Sequence, residues 1–222
     1  MKFMLEKEDK SVIEESVYQN YLTALLAGRR SECHNIVQSL LHDRTEIKEL
    51  YTGLFQKSMY KVGELWETNR ITVATEHLAT AITEGLLNLV YPSLFETDRV
   101  GKTAIVSCAA NEFHQIGGKM VADIMELNGW DTHFLGANMP CEDISAHIEQ
   151  VRPNVVGLSL SILSNIDTLR HCMDVIKSDF PNMHMFVGGQ AFRWGGLEVV
   201  KQYSGAEYLP SLLALERAIK QR

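Results

Sequence analysis

The feature that most constrains the fold is a change in the spacing of apolar residues close to residue 100. Up to about residue 95 these residues recur at intervals typical of amphipathic helices. From Val100 onward, short β-rich runs alternate with helical patterns, as in a parallel sheet covered by helices on both faces. A chain of 222 residues is long enough for two domains. We therefore predict a helical domain over residues 1–96 and an α/β domain over residues 97–222.

The helical half divides into four amphipathic segments joined by short connections, which predicts an antiparallel four-helix bundle. Thr45 is a residue type that often caps a helix, so we expect it to begin the third segment. The expected helices run from about Ser11 to Ala27, from near Ser31 through Leu41, from Thr45 to Trp66, and from after Thr72 to just before Pro92.

The second half contains five candidate strands, and the last of them is weak. They cover residues 103–108, 132–136, 155–160, 184–188 and 207–209. This pattern predicts a Rossmann-like, flavodoxin-like α/β domain with a five-stranded parallel sheet, so the whole chain is an α+β two-domain protein. In such a sheet, ligands bind beyond the carboxyl ends of the strands. The loops after Cys108, Gly136, Leu160 and Gly188 are therefore the ones expected to carry a site.

Charge and composition exclude several classes of function. A net charge of −7 disfavours direct nucleic-acid binding, which needs clustered basic residues. No segment approaches the ~20 apolar residues of a membrane span, and the N-terminus turns acidic early, so we expect a cytoplasmic protein. The four cysteines are far apart and form no Cys-x-x-Cys pair, which argues against a zinc knuckle or a thioredoxin-like redox site.

The loop after the first strand contains the most informative residues. A histidine at position 114 would project above the sheet, and Glu112 is close enough in sequence to hold its second ring nitrogen. Proteins orient metal-bound imidazoles in this way and raise their basicity. Gly117 would let a bulky ligand approach the backbone. Taken alone, His114 is explained more simply as a helix-start residue with no ligand.

The loops after the third and fourth strands are rich in small residues. Ser159 and Ser161 follow one strand, and Gly188 and Gly189 end the next. Together these residues would open a slot lined with hydrogen-bonding groups that could take an extended polar tail. The ordinary alternative is that the serines cap a helix and the glycines form a turn. Neither a phosphate-binding loop nor a dinucleotide fingerprint follows the first strand.

Taken together, these loops resemble the cobalamin-binding domain shared by methionine synthase, corrinoid methyl carriers and cobalamin photoreceptors. The family pattern is an acidic residue, one residue, His, two residues and Gly, followed by Ser-x-Leu or a variant, and then Gly-Gly. The matching residues are Glu112, His114 and Gly117, then Ser159 and Ser161, then Gly188 and Gly189. The resemblance implies that His114 binds the corrin cobalt in place of the cofactor's own dimethylbenzimidazole. It also implies that the displaced tail enters the slot near Ser159 and Gly188.

The helical half carries a second motif. Trp66 is followed, after nine intervening residues, by Glu76 and His77, and this spacing resembles the motif of CarH-type light-sensing transcriptional regulators. The resemblance implies that Trp66 stacks over the upper ligand of the cobalamin and that Glu76 accepts a hydrogen bond from the ribose of a 5′-deoxyadenosyl group. Val73 would leave room for that nucleoside.

Two departures from the CarH-type pattern limit what it implies. The chain shows no N-terminal helix-turn-helix segment, so a signal would leave through a protein partner or a change of assembly. Glu67 stands where those regulators carry a histidine after the motif tryptophan. Taken one at a time, Trp66, Glu76 and His77 also have ordinary explanations as a bundle plug, a first-turn anion and a satisfied imidazole.

These resemblances imply a cobalamin photoreceptor, which would be a sensor and not an enzyme. Adenosylcobalamin is the favoured form and methylcobalamin is possible, with His114 as the metal ligand to cobalt. The expected partner is another copy of the chain or a regulatory protein, with no nucleic acid and no membrane. The alternative is a corrinoid methyl carrier that serves a methyltransferase system. Whether a second chromophore such as a linear tetrapyrrole binds stays open.

Overall fold

A computed structural model describes residues 13–222, and it divides the chain after Val90. A helical unit ends at Val90, and an α/β unit runs from Tyr91 to Arg222. This architecture confirms the predicted fold class, in which a helical domain is followed by a Rossmann-like domain with a five-stranded parallel sheet. Within the described range, no helix is both long and apolar enough to span a bilayer.

Four helical stretches make up the helical unit over its described residues. The third stretch is continuous but changes its winding, because seven residues of π-helix lie between two α-helical segments. The stretches are α1 Glu15–Leu26, α2 Arg30–His42, then α3 Ile47–Glu49 with the π segment Leu50–Gln56 and α4 Lys57–Glu67, and finally α5 Val73–Leu87.

Amphipathic spacing and one side-chain cap explain where these helices form. Their inward faces bury large apolar residues, among them Tyr21, Leu25 and Phe55, none of which is measurably exposed. The Thr72 hydroxyl accepts a hydrogen bond from the backbone N–H of Thr75 and so caps α5. The expectation that Thr45 caps the third helix is wrong. That helix begins at Ile47, and no side-chain cap bond is made at its start.

The sheet of the α/β unit is parallel throughout the described chain, with strand order β2-β1-β3-β4-β5. The strands are β1 Thr103–Ala109, β2 Asp131–Met139, β3 Val155–Ser159, β4 Met185–Gly188 and β5 Ala206–Tyr208. The connecting and flanking helices are α6 Ile116–Leu127, α7 Cys141–Val151, α8 Ile166–Asp179, the short α9 Leu197–Val200 and α10 Leu212–Lys220.

The strand order also determines where a ligand can sit. After β1 the chain continues to β2 on one side, and β3 then pairs with β1 on the other side. Loops that leave β1 and β3 in opposite directions open a crevice at the carboxyl edge of the sheet. Central strands β1 and β3 are almost entirely buried, which explains their continuous apolar runs and gives the crevice a rigid floor.

Candidate functional site

Glu112 lies at the centre of the crevice between the β1 and β3 loops. Its side chain is fully buried. One carboxylate oxygen, Oε2, accepts hydrogen bonds from the backbone N–H groups of Ser161 and Ile162 at 2.8 and 3.0 Å. The other oxygen accepts one from the backbone N–H of His114 at 3.0 Å. Glu112 therefore ties the two loops together through backbone groups.

The imidazole of His114 is held at one nitrogen by Glu112, and about half of the side chain is exposed. Its Nδ1 atom lies 2.6 Å from Oε1 of Glu112, and 48% of the side chain is exposed. An ionised carboxylate only accepts hydrogen bonds, so this contact assigns the proton to Nδ1. The Nε2 atom then keeps its lone pair, which is the arrangement of a metal-binding histidine oriented by a carboxylate.

The charge state of Glu112 follows from its surroundings. Burial alone would raise the pKa of the Glu112 carboxyl. The hydrogen bonds that it accepts from His114, Ser161 and Ile162 outweigh burial and lower the pKa below its ordinary value. The group is therefore a buried carboxylate near neutral pH. Its negative charge makes the His114 ring a stronger electron-pair donor to a metal.

The space around Gly117 differs from the space around Gly118. A Cβ added at Gly118 would lie 3.2 Å from the Phe134 ring and 3.3 Å from the sulfur of Cys108, so packing of α6 on the sheet requires the small residue. A Cβ at Gly117 would meet only the Ser159 hydroxyl, at 3.9 Å. Because the protein's own packing leaves this space open, the site fits a large flat ligand that approaches the backbone beside the imidazole.

The glycines at the end of β4 serve the protein's own packing. Gly189 has a φ of +114°, and a Cβ there would lie 2.0 Å from the carbonyl oxygen of Leu160. At Gly188 a Cβ would lie 3.0 Å from the carbonyl oxygen of Leu209. Both residues are thus needed for the close approach of neighbouring loops. Their expected role as walls of a ligand slot stays a prediction.

Ser159 is buried at the end of β3, where it hydrogen-bonds the thiol of Cys108. Burial raises the pKa of that thiol to about 12 in spite of this bond, so Cys108 is a packed thiol and not a reactive one. Ser161 contributes its backbone N–H to Glu112, whereas the ligand-binding role expected from its hydroxyl stays a prediction.

Sequence reasoning missed the exposed apolar residues of this edge. Phe113, which precedes His114, is 67% exposed, and Ile162, whose backbone N–H donates to Glu112, is 40% exposed. Trp194, in the loop that follows β4, is 59% exposed. Large apolar side chains exposed around a polar ligand residue are typical of a ligand-binding face. Phe113 lies inside the motif, between Glu112 and His114. This position was the one sequence signal that could have identified it as part of the site.

In the helical unit, Trp66 and Val73 lie on either side of the turn between α4 and α5. Trp66 is 44% exposed and Val73 is 54% exposed, so neither plugs the core of the bundle. Leu78 on α5 is also partly exposed, and its Cδ2 atom would be 2.6 Å from a Cβ at Gly28. The helical unit thus exposes several large apolar side chains, and the motif tryptophan is one of them.

Glu76 and His77 form a bonded pair in the first turn of α5. The Nδ1 atom of His77 contacts Oε2 of Glu76, and the Thr80 hydroxyl donates to Oε1 at 2.9 Å. Both carboxylate oxygens therefore already have a partner within the helix. The His77 side chain is 75% exposed and that of Glu76 only 18%. Across the described residues, no cluster of three or more His, Cys, Asp or Glu side chains could hold a metal ion by itself.

Comparison with known protein families matches both halves of the chain. Two family models, both described as a B12 binding domain, match residues 102–209 and residues 17–91. Between them they account for most of the chain.

Individual relatives fall into two groups. The chain is 28% identical over 134 residues to the HTH-type transcriptional repressor CarH of Myxococcus xanthus, which covers 60% of this chain and 44% of the repressor. It therefore spans less than half the length of that relative. It is 23% identical over 169 residues to dimethylamine corrinoid protein 1 of Methanosarcina mazei, which covers 75% of this chain and 77% of the relative.

A solved structure matches nearly the whole fold. The monomethylamine corrinoid protein of Methanosarcina barkeri superposes with a TM-score of 0.81, at 14% sequence identity. The match covers 94% of this chain and 99% of that protein. At this identity the likeness concerns the fold alone.

Proposed function

The chain belongs to the family of cobalamin-binding proteins built from B12 binding domains, and on this basis we propose that it is a corrinoid carrier that binds cobalamin through His114. The observation that carries the binding proposal is the Glu112–His114 pair, in which a buried carboxylate holds Nδ1 of a half-exposed imidazole and thereby assigns the lone pair to Nε2. When bound, the corrin cobalt supplies either a centre that accepts and releases a methyl group or a bond to carbon that light can break.

The chain's own residues have defined tasks in this proposal. His114 would hold the cobalt through Nε2, and Glu112 fixes the tautomer of the imidazole and raises its basicity. Gly117 leaves the approach to the imidazole open, and Phe113 and Ile162 offer apolar contact area next to it. The cofactor tail would lie near Ser159 and Gly188, as the family pattern implies. Adenosylcobalamin and methylcobalamin both stay candidates for the native form.

One observation favours a carrier over the light sensor that the Trp66 motif suggests. The match to a corrinoid protein covers about three quarters of both chains, whereas the match to the light-regulated type covers less than half of that relative. A carrier of this kind would work as a non-catalytic subunit beside a methyltransferase partner.

The carrier proposal is tested by following a methyl group. The protein is loaded with methylcobalamin in darkness and mixed with a thiol acceptor and a corrinoid-dependent methyltransferase. We expect loss of the methylcobalamin absorbance together with methylation of the thiol. The matched control is His114→Ala, which should load weakly and transfer slowly. Stable loading of the wild type without any transfer would contradict the carrier proposal.

A light sensor is the second candidate, and the exposed position of Trp66 beside the α4–α5 turn favours it. In this case the protein loaded with adenosylcobalamin would change its mass in solution after green light, through a second copy of the chain or a partner protein. The control is Trp66→Ala, which should weaken retention of the adenosyl form. An unchanged mass and an unchanged spectrum after illumination would exclude this candidate.

A further inference from the structure

The backbone of Asn111 and Glu112 is held at every polar group. Asn111 N–H donates to the side-chain oxygen of Asn138 at 2.9 Å, and Asn111 C=O accepts from Nδ2 of Asn165 at 3.0 Å. Glu112 N–H donates to Ala109 C=O, and Glu112 C=O accepts from the backbone N–H of Asn138. All four backbone polar groups of Asn111 and Glu112 are thus hydrogen-bonded within the protein, and this backbone determines where the Glu112 side chain lies.

Asn138 alone makes two of these four contacts, one through its side-chain oxygen and one through its backbone N–H. It lies at the end of β2, with a φ of +51°, and its neighbour in space Asn111 has a φ of +64°. Both residues adopt the left-handed conformation that asparagine and glycine tolerate best. Glycine would satisfy the backbone at 138 but would have no oxygen for Asn111. The asparagine side chain therefore has a task that the conformation alone does not explain.

Asn165, which lies in the loop after β3, binds the same backbone segment. It stands at the N-cap position of α8, where an asparagine side chain usually caps its own helix. No such cap bond is made here. The amide instead reaches across to the carbonyl of Asn111. Two loops on opposite sides of β1 thus hold the same peptide segment.

We infer that Asn138 and Asn165 are positioning residues for the cobalt ligand: they hold the Asn111–Glu112 backbone so that Glu112 meets Nδ1 of His114. Glu112 is fully buried and its Oε1 lies 2.6 Å from that nitrogen. A hydrogen bond weakens steeply with misalignment, so a small shift of this backbone releases the imidazole from its single tautomer. The inference rests on the proposed function, because it concerns readiness of Nε2 for cobalt.

Asn138→Gly is the decisive variant, because it keeps the left-handed backbone and the N–H but removes the side-chain oxygen. Asn138→Asp keeps an acceptor oxygen and serves as the conservative rescue. Arg152→Gly is the matched control, since Arg152 has the same φ of +51° but lies exposed after α7, before the amino end of β3. Asn165→Ala tests the second loop without removing a helix cap.

Two measurements separate a positioning role from a merely structural one. The first is the tautomer of His114 in the cofactor-free protein, read from the ¹⁵N NMR shifts of the two imidazole nitrogens over a pH series. The second is the dissociation constant for hydroxocobalamin, followed by absorbance. For Asn138→Gly we expect a larger Nε2–H population and about three- to tenfold weaker binding, as for the loss of one hydrogen bond. Asn165→Ala should change both in the same direction.

The outcomes distinguish this inference from the proposed function. Wild-type tautomer ratio and affinity in Asn138→Gly would overturn the positioning role, as would equal losses in Arg152→Gly. Recovery of both values in Asn138→Asp would support it. A wild-type protein that does not bind hydroxocobalamin would refute the proposed function instead, while the NMR comparison on the cofactor-free protein would still test Asn138.

Discussion

Replacing Glu112 with glutamine tests whether the charge of this buried carboxylate, and not only its shape, organises the site. The two oxygens accept four hydrogen bonds, two from His114 and two from the backbone of Ser161 and Ile162. A glutamine amide has one acceptor oxygen, so its NH₂ group must face one of these pairs. The variant therefore cannot satisfy all four donors.

Either orientation has a measurable cost. If the NH₂ group faces Ser161 and Ile162, two part-buried N–H groups lose their acceptor, at about 1–3 kcal/mol each. If it faces His114, Nδ1 becomes an acceptor and the proton moves to Nε2, the atom that must bind cobalt. Removing a buried charge offsets part of the loss. We expect Glu112→Gln to lower the free energy of unfolding of the α/β unit by about 2–4 kcal/mol.

Urea denaturation measures this change, followed by circular dichroism and by the fluorescence of Trp130, which is buried in the α/β unit. The control is Glu149→Gln, an exposed position on α7, which should change stability by less than about 0.5 kcal/mol. If Glu112→Gln is as stable as this control and keeps the wild-type His114 tautomer, the reasoning about the carboxylate is refuted.

Further substitutions give contrasting outcomes. His114→Ala should abolish the spectrum of histidine-bound cobalamin and should also lower the stability of the cofactor-free protein by about 1 kcal/mol, because the buried Glu112 loses one hydrogen bond. Gly117→Ala should leave stability equal or raise it by up to about 1 kcal/mol, because α6 gains a better helix former, but should weaken corrinoid binding about tenfold in titrations. Gly189→Ala should destabilise the fold by more than about 2 kcal/mol in urea, since its Cβ would clash with the Leu160 carbonyl. Thr72→Ala should lower stability by about 1 kcal/mol through loss of the α5 cap, measured by thermal unfolding.

Much of the fold could be predicted from the sequence because burial imposes strong patterns. The runs that form β1 and β3 are buried along almost their whole length, and their predicted bounds differ from the observed ones by one residue. The cap at Thr45 failed because Glu46 lies between that residue and the first helical position, Ile47. The π segment was not predicted either, since a local change of winding leaves little trace in the spacing of apolar residues.

The site was predictable where its residues lie within one loop and not where distant loops meet. Glu112 and His114 are two positions apart, so their pairing followed from the motif. The contacts of Asn111 with Asn138 and Asn165 span 27 and 54 positions, and no local pattern announces them. The same holds for the packing role of Gly189, which depends on the carbonyl of Leu160, just after the neighbouring strand β3.

The π segment Leu50–Gln56 affects how the third helix should be aligned with other proteins. An α-helix turns about 100° per residue, and a π-helical stretch accommodates extra chain within the same length. A helical wheel drawn continuously from Ile47 would thus point Trp66 in the wrong direction, by roughly one residue's rotation. A homologue whose third helix is one residue shorter should have its gap inside this segment, and only then will its residues fall on the same faces as Lys57–Glu67.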